Sequence, residues 1–431
     1  MKHSLSQGFR SIFRNSHKLQ YAPVLAIAMG LMMARLLVVA HYLNIDDFAK
    51  YSFGLLISSS FCMLGCLGLQ SLLQRELPKL LAKEDERAGT HLVLQCLVVA
   101  TLSACVIFLI AQIIYLSKQN AISLLFSAGL LHGLSQQLFL IVTTESRSRG
   151  ESLRYSHQNL TRAIIVICSV TALAILSDNA FAILISEAGI TLVITSCLLW
   201  RQLKVAALPL ISTLTQAIRE FGDINWRSAF LLLMVACVSF AIINLDRWIA
   251  ADALTLTEFA SYSFAWTILI VAQSLQTIIN AAAYPALVKH LITYGPKKTY
   301  QYTATISSAL LIAGIILLVP AWFVIDIAIT RWYPQYDNVS TLVLVFLSIS
   351  VFFISDFWSS YLVIAGYERP LLMTRIISGL TAFAIWMLVP STDGHLSPLH
   401  IGTLALLLAS VSYASVIALS LCINRNIFHV K

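Results

Sequence analysis

The sequence is poor in charge. Only 11% of its 431 residues are charged, whereas a soluble domain carries about 25% charged residues. Hydrophobic residues make up 58% of the chain, and the mean hydropathy is +0.83. A water-soluble fold cannot bury that much apolar surface. The composition therefore predicts a protein whose solvent is lipid.

The motifs of common enzyme and metal sites are also missing. The sequence contains no Gly-x-x-x-x-Gly-Lys phosphate loop, no His-Glu-x-x-His and no Gly-x-Ser-x-Gly. Its eight cysteines lie in apolar runs and form no Cys-x-x-Cys pair, so we interpret them as packing residues. The predicted outer loops are too short for the catalytic loop of a membrane-embedded polymerase or ligase. We expect neither an enzyme nor a bound cofactor or metal.

Long apolar runs are abundant. A spanning helix needs about 20 mostly apolar residues, and helix is the expected form because lipid offers no partner to the backbone. The sequence predicts an all-α membrane protein of about twelve spans. They cover residues 21–43, 51–73, 91–116, 121–142, 159–176, 180–200, 228–250, 258–284, 303–329, 341–364, 372–389 and 400–422.

The net charge of +8 is unevenly distributed. Nearly all lysines and arginines fall in alternate loops, and the opposite side holds only Lys50, Lys118 and Arg331. Cytoplasmic loops collect positive charge, so both termini are predicted to be cytoplasmic. Membrane topology explains the basic charge better than nucleic-acid binding does, since no basic patch is interleaved with aromatic residues in a soluble segment.

One stretch occurs twice. Residues 43–54 (LNIDDFAKYSFG) and 254–265 (LTLTEFASYSFA) share six of twelve positions. An internal repeat of this kind fixes architecture. With six spans in each half, the copies insert the same way up, as parallel repeats. We predict an N-terminal lobe (1–200), a cytoplasmic linker (201–227) that contains a short helix, and a C-terminal lobe (228–431), with the lobes around a central cavity.

A few ionic residues lie within the predicted spans. Charges in a bilayer are costly and are functional candidates by default. The candidates are Arg35, Glu187, Asp246, Arg247 and Asp356, and also Asp326, which lies near the outer end of its span.

Each has an alternative, structural interpretation. Arg35 binds an anionic group or snorkels to the outer surface. The repeat aligns Arg35 with Asp246, so a cross-half pair that closes an outer gate is a hypothesis, with Arg247 then free for substrate. Glu187, Asp246 and Asp356 are candidates for ion coupling or gating, or are structural partners of polar groups. Arg162 and Glu145 are interpreted as ordinary boundary residues.

Uncharged polar residues form two further sets. His132, Gln136 and Gln137 lie on the fourth span, and Gln273, Gln276 and Asn280 follow one face of the eighth. Such a face lines a hydrophilic passage or joins helices by hydrogen bonds. We assign Gln273, Gln276 and Asn280 to the candidate substrate-binding set.

The order of motifs resembles a known family. An ionic first helix is followed by LNIDDFAKYSFG (43–54) and by GLQSLLQRELP (68–78), and later by NLDR (244–247) and FASY (259–262). This order is similar to the polysaccharide flippases for O-antigen and capsule units, in the multidrug/oligosaccharidyl-lipid/polysaccharide superfamily. The sequence departs from the family pattern at Ala49 and Ala260, where glycine is usual.

The resemblance implies a function. Flippases of this family move undecaprenyl-diphosphate-linked oligosaccharides across the bacterial inner membrane by alternating access. Arg35 and Arg247 would bind the diphosphate, the coupling ion would be H⁺ or Na⁺, and a polysaccharide polymerase and a chain-length regulator would be partners. The alternative within the superfamily is a cation-coupled multidrug extruder. A polysaccharide polymerase or ligase is the alternative from a different class.

Overall fold

The structure, a computed structural model, describes residues 21–82, 85–116, 122–206, 209–389 and 396–429, without the side chains of 82, 115–116, 122–123, 210, 272, 277–286 and 426–429. All regular structure in these ranges is helical, which confirms the predicted all-α class. The α-helices are α1 (Tyr21–Tyr42), α2 (Ile45–Leu64), α3 (Leu69–Ala82), α4 (Glu86–Leu116), α5 (Ile122–Ser148), α6 (Ser152–Leu176), α7 (Ala180–Val205), α8 (Leu210–Arg219), α9 (Trp226–Ala253), α10 (Leu256–Trp332), α11 (Ser340–Ser355), α12 (Trp358–Ile364), α13 (Glu368–Met387) and α14 (Pro398–His429).

Many of these helices suit a bilayer. Within the described ranges, 10 helices are long and apolar enough to cross a membrane, or 11 if the bent pair α2 and α3 is one span. The predicted eighth span, 258–284, is helical within α10. The side chains of residues 272 and 277–284 are outside the part of the chain that the structure describes. The protein is a multi-pass membrane protein.

The contacts divide the chain into two compact units. The first unit comprises residues 1–39 and 57–233, and the second comprises 40–56 and 234–431. The sequence repeat predicts lobes of 1–200 and 228–431, and that division stays a prediction. By contacts, the predicted linker belongs to the first unit, and the first copy of the repeated motif belongs to the second.

Both copies of the repeated motif start a helix. The Asn44 side chain accepts a hydrogen bond from the Asp47 backbone N–H at 2.8 Å and begins α2. At the equivalent positions, Thr255 and Glu258 form a capping box that begins α10. The identical residues Phe48 and Phe259, Ala49 and Ala260, and Tyr51 and Tyr262 are buried. The motif therefore repeats because it encodes the same cap and the same packed helix turn.

Two predicted spans are broken. The span 51–73 was predicted as one helix, but α2 and α3 meet at 51°, because Leu67 and Gly68 have φ of 48° and 81°. The span 341–364 divides into α11 and α12, because the Asp356 side chain accepts the Ser359 backbone N–H at 3.1 Å and starts a new helix. Hydropathy alone does not detect either break.

The long helix α10 also contains a break. Gly295 has φ 76° and ψ 175° within it. Proline at the next position disfavours helical geometry at Gly295 and favours a new helix start. The break separates the predicted spans 258–284 and 303–329.

The short helix predicted in the linker is confirmed as α8. It packs on α4, where Gln95 donates to the Ala217 carbonyl at 3.0 Å. His91 of α4 bonds the Glu220 carboxylate at 2.8 Å. That bond, followed by one from Gln216, holds the pKa of Glu220 below its usual value. The linker is thus fixed to the first unit rather than solvated.

Candidate functional site

The first unit contains a buried polar cluster that joins five helices. Arg35 of α1 pairs with Glu187 of α7, and the exposed fractions of the two residues are 7% and 0%. His132 of α5 lies with Nε2 3.0 Å from the same carboxylate oxygen. Its Nδ1 is 2.8 Å from the Ser58 hydroxyl of α2.

The cluster extends to a second guanidinium. Arg162 of α6 donates to the Gln136 amide oxygen, and the Gln136 amide nitrogen is 3.4 Å from His132 Nε2. The Arg162 guanidinium also lies 4.6 Å from the centre of the Phe139 ring. We call Arg35, Ser58, His132, Gln136, Arg162 and Glu187 the polar cluster.

This arrangement corrects the interpretation of Arg162. It was predicted to be a boundary residue, but it is only 8% exposed and lies within the span Ser152–Leu176. Arg162 lies near the start of the predicted span 159–176, where a cation is ordinary. Hydropathy does not show in which direction its side chain points. Arg35 and Arg162 are close enough to repel each other electrostatically. The cluster therefore holds two guanidiniums and one carboxylate.

The second unit holds the other predicted ionic pair. Asp246 is 1% exposed and accepts a hydrogen bond from the Tyr262 hydroxyl at 2.5 Å. Arg247 is 5% exposed, lies 4.0 Å from the centre of the Trp266 ring, and donates to the Ser52 carbonyl at 3.4 Å. The sequence predicts Arg247 to be free for substrate, whereas this structure buries it against an indole. The Arg35–Asp246 gate stays a prediction, and each of its residues has a partner in its own unit.

A cavity of about 140 Å³ lies beside the α11–α12 break. Two predicted residues, Gln276 and Asp356, line it together. Arg375 of α13 lies 3.7 Å from the Asp356 carboxylate and donates to the Ser239 and Ser359 hydroxyls, each at 3.0 Å. Gln273 is half-buried on the same helix as Gln276. The Asn280 side chain lies outside the described residues.

The cavity has the composition of a site for hydroxyl groups. Its polar lining includes a carboxylate, a guanidinium, an amide and hydroxyls, and the aromatic rings of Phe352, Phe353 and Tyr413 complete the wall. Broken helices often carry substrate sites in transporters. Arg375 was not predicted as a site residue. It lies close to the start of the predicted span 372–389 and was therefore counted among the loop cations.

A further set of ion pairs lies at the ends of α4 to α6. Arg149 donates to the Glu86 carboxylate at 2.7 Å and pairs with Glu145, while Arg154 bonds Glu151 at 2.7 Å. The bond to Glu86 raises the pKa of Arg149. Since these charges satisfy one another at helix ends, we interpret them as structural.

Tyr262→Phe tests the Asp246 contact. The substitution removes the side-chain hydrogen bond to Asp246 Oδ2, and Asp246 Oδ1 has no partner among the described residues. A hydrogen bond to a charged group contributes about 1.5–3 kcal/mol, and we expect that loss in unfolding of the detergent-solubilised protein. Tyr336→Phe is the control, because the Tyr336 hydroxyl is buried without a partner among the described residues and its loss should not destabilise. Equal effects of the two substitutions would contradict the contact.

No family model matches the sequence, and no curated protein matches it. Solved structures do. The eukaryotic MATE transporter AtDTX14 superposes with a TM-score of 0.63 at 14% identity, over 95% of this chain and 96% of that chain. The chain has the fold of the MATE transporters. An inward-facing multidrug resistance MATE transporter of the MOP superfamily gives 0.64 at 12% identity, over 95% and 98%.

A third similar structure differs in its described binding pocket. A MOP superfamily transporter from Pyrococcus furiosus, whose binding pocket is described as having reverse polarity that suggests a different function, gives 0.54 at 11% identity over 95% and 94%. At these identities the likeness is one of fold. The MATE fold is nevertheless the fold that the predicted superfamily implies.

Proposed function

We propose that the protein translocates an undecaprenyl-diphosphate-linked oligosaccharide across the bacterial inner membrane by alternating access. The observation that carries the proposal is the charge of the polar cluster, in which the described residues place Arg35 and Arg162 with one carboxylate, that of Glu187. With a neutral His132, the cluster has a surplus positive charge. Buried charge is costly unless it is paired, so a surplus cation in a bilayer suits a substrate that brings the missing anion.

A diphosphate is such an anion. Guanidiniums bind phosphate oxygens in a fixed, often bidentate geometry. Within the second unit, the neutral pair of Asp356 and Arg375 beside Gln276 suits uncharged, hydroxyl-rich groups such as those of a sugar. The lipid tail would remain in the bilayer. Arg247, Gln273 and Asn280 stay in the proposed binding set.

Several parts of the proposal rest on the sequence. Both termini would be cytoplasmic, Glu187, Asp246 and Asp356 would serve ion coupling or gating, and the ion would be H⁺ or Na⁺. The proposed partners are membrane lipids, a polysaccharide polymerase and a chain-length regulator. We do not propose a nucleic acid as a partner.

A multidrug extruder is the second candidate, because one MATE-fold relative is described as a multidrug resistance transporter. A site for cationic drugs requires surplus carboxylate. In the polar cluster the surplus has the opposite sign, which favours the flippase. For the Pyrococcus furiosus protein, a binding pocket of reverse polarity is described as suggesting a different function, so this fold is not tied to one function.

The test is export in cells that lack the protein. We expect surface polysaccharide to disappear and undecaprenyl-linked units to accumulate on the cytoplasmic side. Wild-type protein should restore export, and Arg35→Lys should restore it in part, because lysine keeps the charge but loses the fork of donors. Arg35→Gln and Arg162→Gln should fail, and Lys50→Gln, on the predicted outer loop, is the matched control. Unchanged polysaccharide together with sensitivity to cationic dyes would instead support the extruder.

A further inference from the structure

His132 lies at the centre of the polar cluster. It is 3% exposed, and both ring nitrogens have partners: Glu187 Oε2 at 3.0 Å from Nε2 and the Ser58 hydroxyl at 2.8 Å from Nδ1. The imidazole therefore connects the carboxylate that holds Arg35 with a hydroxyl on a neighbouring helix. Histidine is the side chain whose ordinary titration falls nearest to neutral pH.

The backbone fixes this geometry. Gly133 brings α5 so close to α2 that a Cβ at this position would lie 2.9 Å from the Ser58 carbonyl oxygen and 3.0 Å from Ser58 Cα. Since Ser58 and His132 adjoin this contact, the hydroxyl is held at the imidazole. The hydrogen bond is therefore built into the helix packing.

The two partners accommodate both protonation states. In neutral His132, Nε2–H donates to Glu187 and Nδ1 accepts from the Ser58 O–H. When a proton from water binds Nδ1, the new N–H donates to the Ser58 oxygen, and the serine hydrogen rotates away. A hydroxyl both donates and accepts, so the imidazole gains a charge without losing a hydrogen bond.

The charges that face the imidazole determine when this proton binds. They are Glu187 from α7, Arg35 from α1 and Arg162 from α6. The Cys62 thiol of α2 donates to the carbonyl of the next residue along α5, Gly133, at 3.3 Å. A protonated His132 would add a third cation beside one carboxylate, and it would compete with Arg35 for the same Glu187 oxygen. An incoming anion offsets the repulsion among these cations. It also binds the Arg35 guanidinium that His132 displaces from Glu187.

We propose that His132 binds one proton together with the anionic head group of the substrate, so that anion binding and protonation favour each other. This inference rests on the proposed function. Because linkage is reciprocal, the anion must bind more tightly as the pH falls. The proton also offsets part of the negative charge that the head group would carry across the bilayer.

The experiment measures binding of farnesyl diphosphate to the detergent-solubilised full-length protein between pH 8 and pH 6. His132→Gln keeps an amide near Nε2 but cannot titrate. We expect the ratio of wild-type to His132→Gln affinity to rise by up to about tenfold per pH unit as the pH falls. The probe's own titration is common to both proteins and cancels. His91→Gln is the matched control, since His91 is a buried histidine that bonds Glu220 instead, and it should behave as wild type.

Two outcomes overturn the inference. If wild type and His132→Gln show the same pH dependence, the proton site is wrong and the anion site stands. If wild type does not bind the diphosphate at any pH, the proposed function fails as well. Should His132→Gln not fold, His132→Asn, whose amide faces Ser58, replaces it. Histidine NMR titration of wild type with and without the probe gives an independent result, and an unmoved His132 titration would contradict the linkage.

Discussion

Glu187→Leu should destabilise the protein by about 3–5 kcal/mol, the usual cost of removing one partner from a buried ion pair. Glu187 is fully buried and pairs with Arg35. Without Glu187, the Arg35 guanidinium loses its carboxylate partner inside the membrane. His132 loses the carboxylate that accepts its hydrogen bond. The measurement is unfolding of the detergent-solubilised protein by heat or denaturant.

The double variant Arg35→Met, Glu187→Leu separates stability from transport. Replacing both members of a buried pair with apolar residues of similar size is often neutral or stabilising, so we expect most of the lost stability to return. Export should stay lost, because the cluster then lacks a substrate-binding cation. Recovery of both stability and export would contradict the proposed role of Arg35.

Glu151→Gln is the control for this cycle. Glu151 also pairs with an arginine, but its side chain is 44% exposed, and exposed ion pairs contribute about 0–1 kcal/mol. If Glu187→Leu costs no more than Glu151→Gln, the buried pair does not contribute to folding.

The fold class could be predicted because each span is a local property of the chain. A run of about 20 apolar residues must be helical in lipid wherever it packs. The repeated motif could be found for the same reason, since the caps at Asn44 and Thr255 act on residues three positions away.

The contacts of the site could not be predicted, because they join distant parts of the chain. Arg35 and Glu187 are 152 residues apart, and repeat symmetry pointed to Asp246 instead. Both Glu187 and Asp356 were recognised as intramembrane ions, but their partners were not. Arg162 and Arg375 were missed because each lies near the end of a span, where a cation is ordinary.

Breaks within spans were missed for a different reason. A turn of two residues barely changes the hydropathy of the window around it. The bend between α2 and α3 depends on the left-handed backbone of Leu67 and Gly68. Gly68 begins the GLQSLLQRELP motif, but the motif does not predict that conformation. Its importance appears only when the residue opposite it is known.

Gly68→Ala should therefore destabilise the protein by roughly 2–5 kcal/mol. A left-handed conformation costs a non-glycine residue about 1–2 kcal/mol, and overpacking costs about 1–3 kcal/mol. At Gly68, φ is 81°, and a Cβ would lie 2.0 Å from the Ala229 carbonyl oxygen and 3.1 Å from Leu233 Cβ. The nearest obstacle is backbone, so it cannot move aside as a flexible side chain would.

The same substitution at Gly189 is the control. Gly189 lies inside α7, and a Cβ there would meet nothing within 4 Å. Alanine is the better helix former by about 1 kcal/mol, so Gly189→Ala should be neutral or stabilising. Both variants are compared by thermal unfolding in the same detergent. If they behave alike, the α2–α3 bend does not require glycine. If only Gly68→Ala unfolds early, close packing of the α9 start on the bend is part of what holds the first unit together.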